Sequence, residues 1–319
     1  MSSSIRIVFM GTPGFAVESL KKLHTSHHQV VGTVTAPDRP AGRGQKTRPS
    51  EVKKFAESVG IPILQPMKLK SPEFLEQLEE LRADLFVVVA FRMLPEAVWS
   101  MPPLGTINLH ASLLPQYRGA APINWAIIHG ERITGATTFF INAEIDKGEI
   151  IDQVEVPIGD EDDAGDLHDR LMYHGSELLV RTVNDIAAGK AVSKAQDTVE
   201  GDWKKAPKLN SENRRIDWSQ SARDVYNLIR GLSPYPSAYT ELVLGEEESM
   251  NCKIFRTRIC DTAGELAPGH ITTDNKTYLR VGTGTNELEI EQIQMAGKRR
   301  MGIKDVLNGF DFPHEARFE

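Results

Sequence analysis

The first 35 residues constrain this chain more than any other stretch. Residues 5–10 form a short apolar run, stopped by Gly11-Thr12-Pro13-Gly14. Residues 15–24 then place Phe15, Ala16, Leu20 and Leu23 at helical spacing, and residues 30–35 are a second apolar run. Strand, tight turn, amphipathic helix and strand read as a βαβ unit. Such a unit needs a parallel sheet with crossover helices covering its faces.

The same alternation continues downstream. Residues 51–59 predict a helix and 62–64 a short strand. Residues 71–81 predict another helix, with Ser71 as N-cap and Pro72 at its first position. Residues 85–90 are the most hydrophobic run in the chain, as expected for a central strand covered on both faces. Thr106–His110 is a further strand, 121–129 a helix, 136–141 and 150–158 strands suited to pairing, and 167–188 a long helix.

The pattern then changes. Residues 189–210 are polar and include Trp203-Lys204-Lys205-Ala206-Pro207-Lys208, which reads as a linker. Ala222–Leu232 is helical. From Pro236 onward short alternating segments, 252–259, 278–281 and 288–294, are separated by turns at roughly ten-residue spacing, the pattern of a small β-barrel. Val306 and Leu307 fall on a closing helical turn.

Composition narrows the class. At 319 residues the chain exceeds the ~100–200 of one domain, so two are expected. With 40% apolar and 25% charged residues it is an ordinary globular chain. A net charge of −7 argues against a strongly basic nucleic-acid binder. Cys252 and Cys260 offer neither a disulfide framework nor zinc-ligand spacing, and read as two reduced thiols of a cytosolic protein. The N-terminal apolar stretch is too short for a signal peptide, and no run approaches the ~20 residues of a membrane span.

Three segments carry chemistry. Gly11-Thr12-Pro13-Gly14 sits where a doubly wound sheet turns toward a ligand, but it is not GxGxxG, and Pro13 removes one N–H from any phosphate cradle. A dinucleotide dehydrogenase is therefore disfavoured. In Ile107-Asn108-Leu109-His110-Ala111-Ser112, period-2 alternation puts Asn108 and His110 on one face, near the carboxyl end of their strand. An amide beside an imidazole can polarise a carbonyl and handle a proton in one site. Asp146, in Ile145-Asp146-Lys147-Gly148, is either the carboxylate that orients His110 or a surface-turn aspartate.

The third segment is the proline- and glycine-rich loop of residues 36–50. Between Asp38 and Lys54 stand Arg39, Arg43, Lys46, Arg48, Lys53 and Lys54 against Asp38 and Glu51, a local +4 in an acidic chain. Such a loop suits phosphate contact, or is a solvated basic surface. Lys298-Arg299-Arg300 is a second basic cluster with the same two readings.

Residues 107–122, INLHASLLPQYRGAAP, resemble the signature of the folate-dependent formyltransferases. Residues 37–44, PDRPAGRG, narrow the resemblance to the methionyl-tRNA formyltransferase family. Arg215-Ile216-Asp217-Trp218 and Met295-Ala296-Gly297-Lys298 support it, and the likeness spans nearly the whole chain. It implies a Rossmann-like catalytic domain over 1–189, a linker over 190–209 and an OB-like tRNA-binding barrel over 210–319. It implies transfer of the formyl group of 10-formyltetrahydrofolate, as co-substrate, to the α-amine of methionyl initiator tRNA. It also implies a cytoplasmic monomer with no metal and no membrane attachment.

By resemblance, Asn108, His110 and Asp146 are the catalytic set, and Ser112, Leu113, Leu114 and Pro115 contact the folate. Phe91, Arg92 and Met93 line the same pocket, although Phe91-Arg92-Met93-Leu94-Pro95 stands where many members have Ala-Tyr-Gly. Arg39, Arg43, Lys46, Lys208, Lys298, Arg299 and Arg300 are the expected tRNA contacts. Three alternatives stand beside this reading. A glycinamide ribonucleotide formyltransferase leaves residues 211–319 unexplained. An aminosugar formyltransferase has comparable length but does not explain the basic loop. A non-catalytic RNA-binding protein has no need of the Asn/His/Asp set.

Overall fold

The computed structural model describes residues 4–41, 46–196, 203–245, 248–263 and 265–319, with residues 39–41, 46–47 and 262–263 described through their backbone. Arg43 and linker residues 197–202 lie outside the described residues, as do the side chains of Arg39 and Lys46.

In chain order the elements are β1 (Arg6–Gly11), α1 (Gly14–His24), β2 (Gln29–Val34), β3 (Arg39–Ala41), β4 (Lys46–Arg48), α2 (Glu51–Ser58), β5 (Ile63–Leu64) and α3 (Pro72–Glu80). Then follow β6 (Leu85–Val89), α4 (Glu96–Trp99), β7 (Thr106–His110), β8 (Arg118–Gly119), α5 (Pro122–Ile128), β9 (Ile133–Phe140), β10 (Ile150–Pro157) and α6 (Ala164–Ala187). The remainder is β11 (Lys205–Ala206), α7 (Ala222–Leu232), β12 (Ala238–Val243), β13 (Ser249–Ala263), β14 (Ile271–Thr273), β15 (Leu279–Gly282), β16 (Asn286–Met295), β17 (Met301–Gly302), α8 (Ile303–Leu307) and β18 (Arg317–Phe318).

These elements form two units. One comprises Met1–Gly119, Ile133–Pro157 and His168–Lys205, and the other Ala120–Arg132, Ile158–Leu167 and Ala206–Glu319. The stretch expected as a linker, 190–209, is divided, 190–205 going with the first unit and 206–209 with the second, and two short segments, 120–132 and 158–167, pack with the second unit. The packing of α5 on α7 shows why. Asn124 donates to the Gly231 carbonyl at 2.8 Å, and a Cβ on Gly231 would meet Ile128 at 2.7 Å, so the two helices touch backbone to side chain.

The first unit holds a sheet of order β10-β9-β7-β6-β1-β2-β5. β5, β2, β1, β6 and β7 run parallel, and β9 and β10 are antiparallel at the edge. This is the Rossmann-like arrangement that the βαβ opening demands. β6 reads Leu-Phe-Val-Val-Val and is buried throughout, the composition of a strand covered on both faces. Each fully buried side chain such as Phe9, Phe86 or Leu20 contributes about 1.5–3 kcal/mol of apolar burial. The chain leaves β1 toward β2 and β5, then returns to β6 on the other side. The register pairs Gly11 with Val89 and Val89 with Leu109, so the carboxyl ends of β1, β6 and β7 share one rim at this reversal, where open α/β sheets bind ligands.

Helix starts follow local chemistry. Ser50 caps α2 by accepting from the Lys53 N–H at 3.0 Å. Pro72 occupies the first position of α3 as expected, but the Ser71 side chain makes no capping bond. The basic segment contains more order than its composition indicates. β3 and β4 pair antiparallel, with Arg39 opposite Arg48 and Ala41 opposite Lys46. Asp38 anchors its base, pairing with Lys53 at 2.6 Å and accepting from Gln65 at 2.8 Å.

In the second unit, strands run in the order β14-β15-β16-β13-β12-β18, with β17 beside β16. β13 breaks register between Ile254 and Arg256 and again beyond Ile259, bulges that bend it enough to pair with both β12 and β16. The ring closes where His270 bridges Arg317 and Phe318 N–H donates to the Gly269 carbonyl at 2.8 Å. Gly269 has φ +80°, and a Cβ there would lie 2.3 Å from the Phe318 carbonyl oxygen, so closure needs glycine. The result is the expected small antiparallel barrel. Ile216 and Trp218 belong to its core, with Trp218 stacked on Phe318 at 5.6 Å and donating to Thr240 at 2.9 Å.

Candidate active site

β7 delivers Asn108 and His110 to the sheet rim. Asn108 is half-buried, and its side-chain amide makes no hydrogen bond among the described residues. His110 is buried, and its Nε2 lies 2.9 Å from the Tyr117 carbonyl oxygen. A carbonyl can only accept, so Nε2 carries the proton in the neutral ring and Nδ1 holds the lone pair. Nδ1 has no partner among the described residues. The site thus combines a donor amide with a base whose tautomer the backbone sets.

Asp146 joins through the same loop. Its Oδ2 accepts from the Gly119 N–H at 3.0 Å, and its carbonyl accepts from Arg118 Nε at 3.1 Å. His110 and Asp146 are therefore each tied to residues 117–119, and no hydrogen bond between the two is described. Oδ1 of Asp146 has no partner among the described residues. Asp146 adopts φ +54° and Gly148 packs so closely that a Cβ would fall 1.6 Å from the Phe140 carbonyl oxygen. The Asp-Lys-Gly spacing is thus a requirement of backbone contact as well as of chemistry.

Residues 112–115 are held from below. Ser112 is fully buried and its hydroxyl donates to the Gln116 carbonyl at 2.6 Å, so it serves the turn itself. Thr137, opposite His110 on β9, donates to the Ser112 carbonyl at 2.7 Å and accepts from the Leu114 N–H at 3.1 Å. Gln153 on β10 donates to the Leu114 carbonyl at 3.0 Å and to the Thr137 hydroxyl at 2.9 Å. Leu114 is buried, and Leu113 and Pro115 are half-buried.

Phe91, Arg92 and Met93 follow β6 at the same rim. Phe91 is half-buried and Met93 is exposed. Arg92 donates to the Pro66 and Met67 carbonyls and sits 5.6 Å from the Phe91 ring, so it straps this loop to the one after β5. The sequence did not single out Thr137, Gln153, Arg118 or Gln196 as supports. A polar residue in a strand or linker carries no local mark of the distant carbonyl it serves.

The basic residues fare differently. Lys208, Lys298 and Arg299 are exposed, with no side-chain bond among the described residues. Arg300 is engaged: it donates to Gln292 at 3.0 Å and lies 4.4 Å from the Phe255 ring. Among the described residues no group of three or more His, Cys, Asp or Glu is placed to hold a metal, and no helix is long and apolar enough to cross a membrane.

Comparison with known proteins bears on the same segments. Residues 5–183 match the formyl transferase family and residues 208–311 the formyl transferase C-terminal domain. A methionyl-tRNA formyltransferase of Bacteroides fragilis is 52% identical over 308 residues, covering 96% of this chain and 95% of its own length. That of Flavobacterium johnsoniae is 46% identical over 313 residues, 98% of each chain. Among solved structures, an N-formyltransferase from Helicobacter canadensis in complex with folinic acid and dTDP-3-aminofucose has a TM-score of 0.64 at 20% identity, over 90% of this chain and 99% of its own. HypX from Aquifex aeolicus in complex with tetrahydrofolic acid has a TM-score of 0.65 at 19% identity, over 96% of this chain and 47% of its own. At such identities these two structures speak for the fold. The family matches cover both units, and the rim of β7 falls inside the first of them: the chain belongs to the formyl transferase family.

Proposed function

We propose that this chain transfers the formyl group of 10-formyltetrahydrofolate to the α-amine of methionyl initiator tRNA; relatives about 50% identical over 96% of its length are named methionyl-tRNA formyltransferases, which supports the formyl transfer and the methionyl-tRNA acceptor. One observation at the site supports the chemistry most directly: Asn108 offers an unengaged amide beside an imidazole fixed with Nδ1 bare.

Formyl transfer to an amine passes through a tetrahedral oxyanion, and the co-substrate supplies the activated formyl carbon. Asn108 donates its N–H to the oxygen as charge develops there. His110 takes a proton at Nδ1 while Tyr117 holds Nε2–H. Oδ1 of Asp146 is the carboxylate oxygen left to attract the attacking amine. Leu113, Pro115, Phe91 and Met93 offer half-buried or exposed apolar surface along the rim for a flat ring system, and Leu114, Ser112 and Arg92 brace it. The half-buried, partly apolar rim with its three open polar groups fits the folate co-substrate.

The division of labour is part of the proposal. Residues 1–189 serve catalysis, 190–209 link, and 210–319 bind tRNA, a division that the separate family matches support. Arg39, Arg43, Lys46, Lys208, Lys298, Arg299 and Arg300 contact tRNA phosphates. The enzyme works as a cytoplasmic monomer.

The test is a gel assay with methionyl-tRNA and 10-formyltetrahydrofolate. Formylation that requires charged initiator tRNA is the expected result. Transfer to a nucleotide-linked aminosugar instead, or release of formate alone, would overturn it.

A further inference from the structure

We infer that Gln196 is the positioning residue for Asp146, setting the turn whose carboxylate faces the reaction; the inference rests on the placement of Asp146 in the site proposed above. Gln196 is buried, 6% exposed, in a stretch whose polarity reads as linker. Its Nε2 donates to the Asp146 carbonyl at 3.0 Å and to the Gly148 carbonyl at 2.8 Å. Its Oε1 accepts from Arg118 Nε at 3.1 Å and from Arg118 Nη2. Carbonyls only accept and a guanidinium only donates, so the amide has one possible orientation, with both its protons committed.

The bonds converge on one strained point. Asp146 has φ +54°, a conformation that a residue with a side chain holds only where its surroundings enforce it. Gln196 and Arg118 both bond its carbonyl, and Gly148 seats the far side of the turn on the Phe140 carbonyl. The turn so held points Oδ2 at the Gly119 N–H, two residues from the carbonyl that fixes His110. Gln196 therefore acts at one remove on both titratable members of the site, from 50 residues beyond Asp146 in sequence.

Gln196→Met keeps length and removes every polar contact. Gln196→Glu keeps the Arg118 pair but turns an acceptor toward two carbonyls, and serves equally should the methionine variant not fold. We expect either to lower kcat roughly 10–100-fold with both KM values within about threefold, as for a displaced reacting group. In an Asp146→Ala background the same change should cost nothing further. Hydrogen exchange at the Gly119 amide should quicken, because its acceptor has moved. An unchanged kcat, a loss confined to KM, or a loss fully additive with Asp146→Ala would overturn the inference. Should the wild type fail to formylate methionyl-tRNA, the proposed function falls, while Gly119 exchange still decides the role of Gln196.

Discussion

His28 and His110 are both buried histidines of the first unit, 4% and 8% exposed, and they differ in what is left over. His28 has spent both ring nitrogens: Nδ1 accepts from the Ile5 N–H at 3.3 Å, and Nε2 donates to Asn184 at 3.0 Å. The ring ties the start of β1 to α6. His110 has spent one nitrogen on Tyr117 and keeps the other. Burial is shared, so burial does not separate the two rings. Residual bonding capacity does, and on the rim of β7 it recurs, among the described residues, at the Asn108 amide and at one carboxylate oxygen of Asp146.

The sharpest way to break this contrast is to remove the open group. Asn108→Ala should lower kcat roughly 10²–10³-fold, as loss of an oxyanion donor does. Since the Asn108 side chain bonds to nothing among the described residues, unfolding stability should stay within about 0.5 kcal/mol. His28→Ala should do the reverse. It orphans the Ile5 N–H and the Asn184 side chain, at about 1–3 kcal/mol of stability, while kcat per folded molecule is unchanged. Urea unfolding beside single-turnover kinetics checks both. An Asn108→Ala variant that unfolds, or a His28→Ala variant that loses kcat, would end the distinction.

The contrast also shows what was legible beforehand. The strands, the parallel sheet and the ligand-facing strand ends follow from apolar runs and glycine turns, and period-2 alternation alone puts Asn108 and His110 on one face, while the order of the strands came only from the structure. Gln196, Thr137 and Gln153 could not be found this way, because each serves a backbone carbonyl or amide far off in sequence. Hydroxyl capping was not legible: the expected cap, Ser71, makes no side-chain bond, whereas Ser50, which the sequence did not single out, caps α2. Charge was the least legible, since a count does not say which charges are already answered. Asp38 and Glu51 are taken up by Lys53 and Lys54, at 2.6 Å each, so these two cations of the segment are already answered. On the barrel, Arg300 is hydrogen-bonded to Gln292, a neutral amide that leaves its charge in place, while Lys298 and Arg299 have no side-chain bond among the described residues.

Spent and open groups should therefore separate among the cations too, with a smaller effect. If each open cation meets one phosphate, Lys298→Ala or Arg299→Ala should lower the slope of log tRNA affinity against log salt by roughly 0.7–0.9. Lys53→Ala should leave the slope unchanged, because Asp38 already answers that charge; the pair raises the Lys53 pKa and lowers that of Asp38, chiefly through their hydrogen bond. Binding titrations between low and moderate salt give the slopes. Equal changes for Arg299 and Lys53 would mean that charge alone, and not its availability, decides contact.

The smallest expected effect lies in the pH dependence of stability, and it bears on His28 directly. Burial lowers the His28 pKa from its ordinary 6.5; the Asn184 bond opposes the shift, and neighbouring His27 adds to it. The unfolded ring takes its proton near 6.5 while the folded ring still refuses it, so the unfolded state binds more protons just below that pH. The contribution of His28 is thus fully present above 6.5 and declines as pH falls toward the depressed folded value. His28→Gln cannot titrate. Its stability relative to wild type should therefore be constant from pH 8 to 7 and rise as pH falls through 6 to 5. A difference that stays flat across that range would mean that the folded ring accepts its proton as readily as the unfolded one. That is incompatible with Nδ1 being committed to the Ile5 N–H, and it would remove the ground for treating His28 as the spent counterpart of His110.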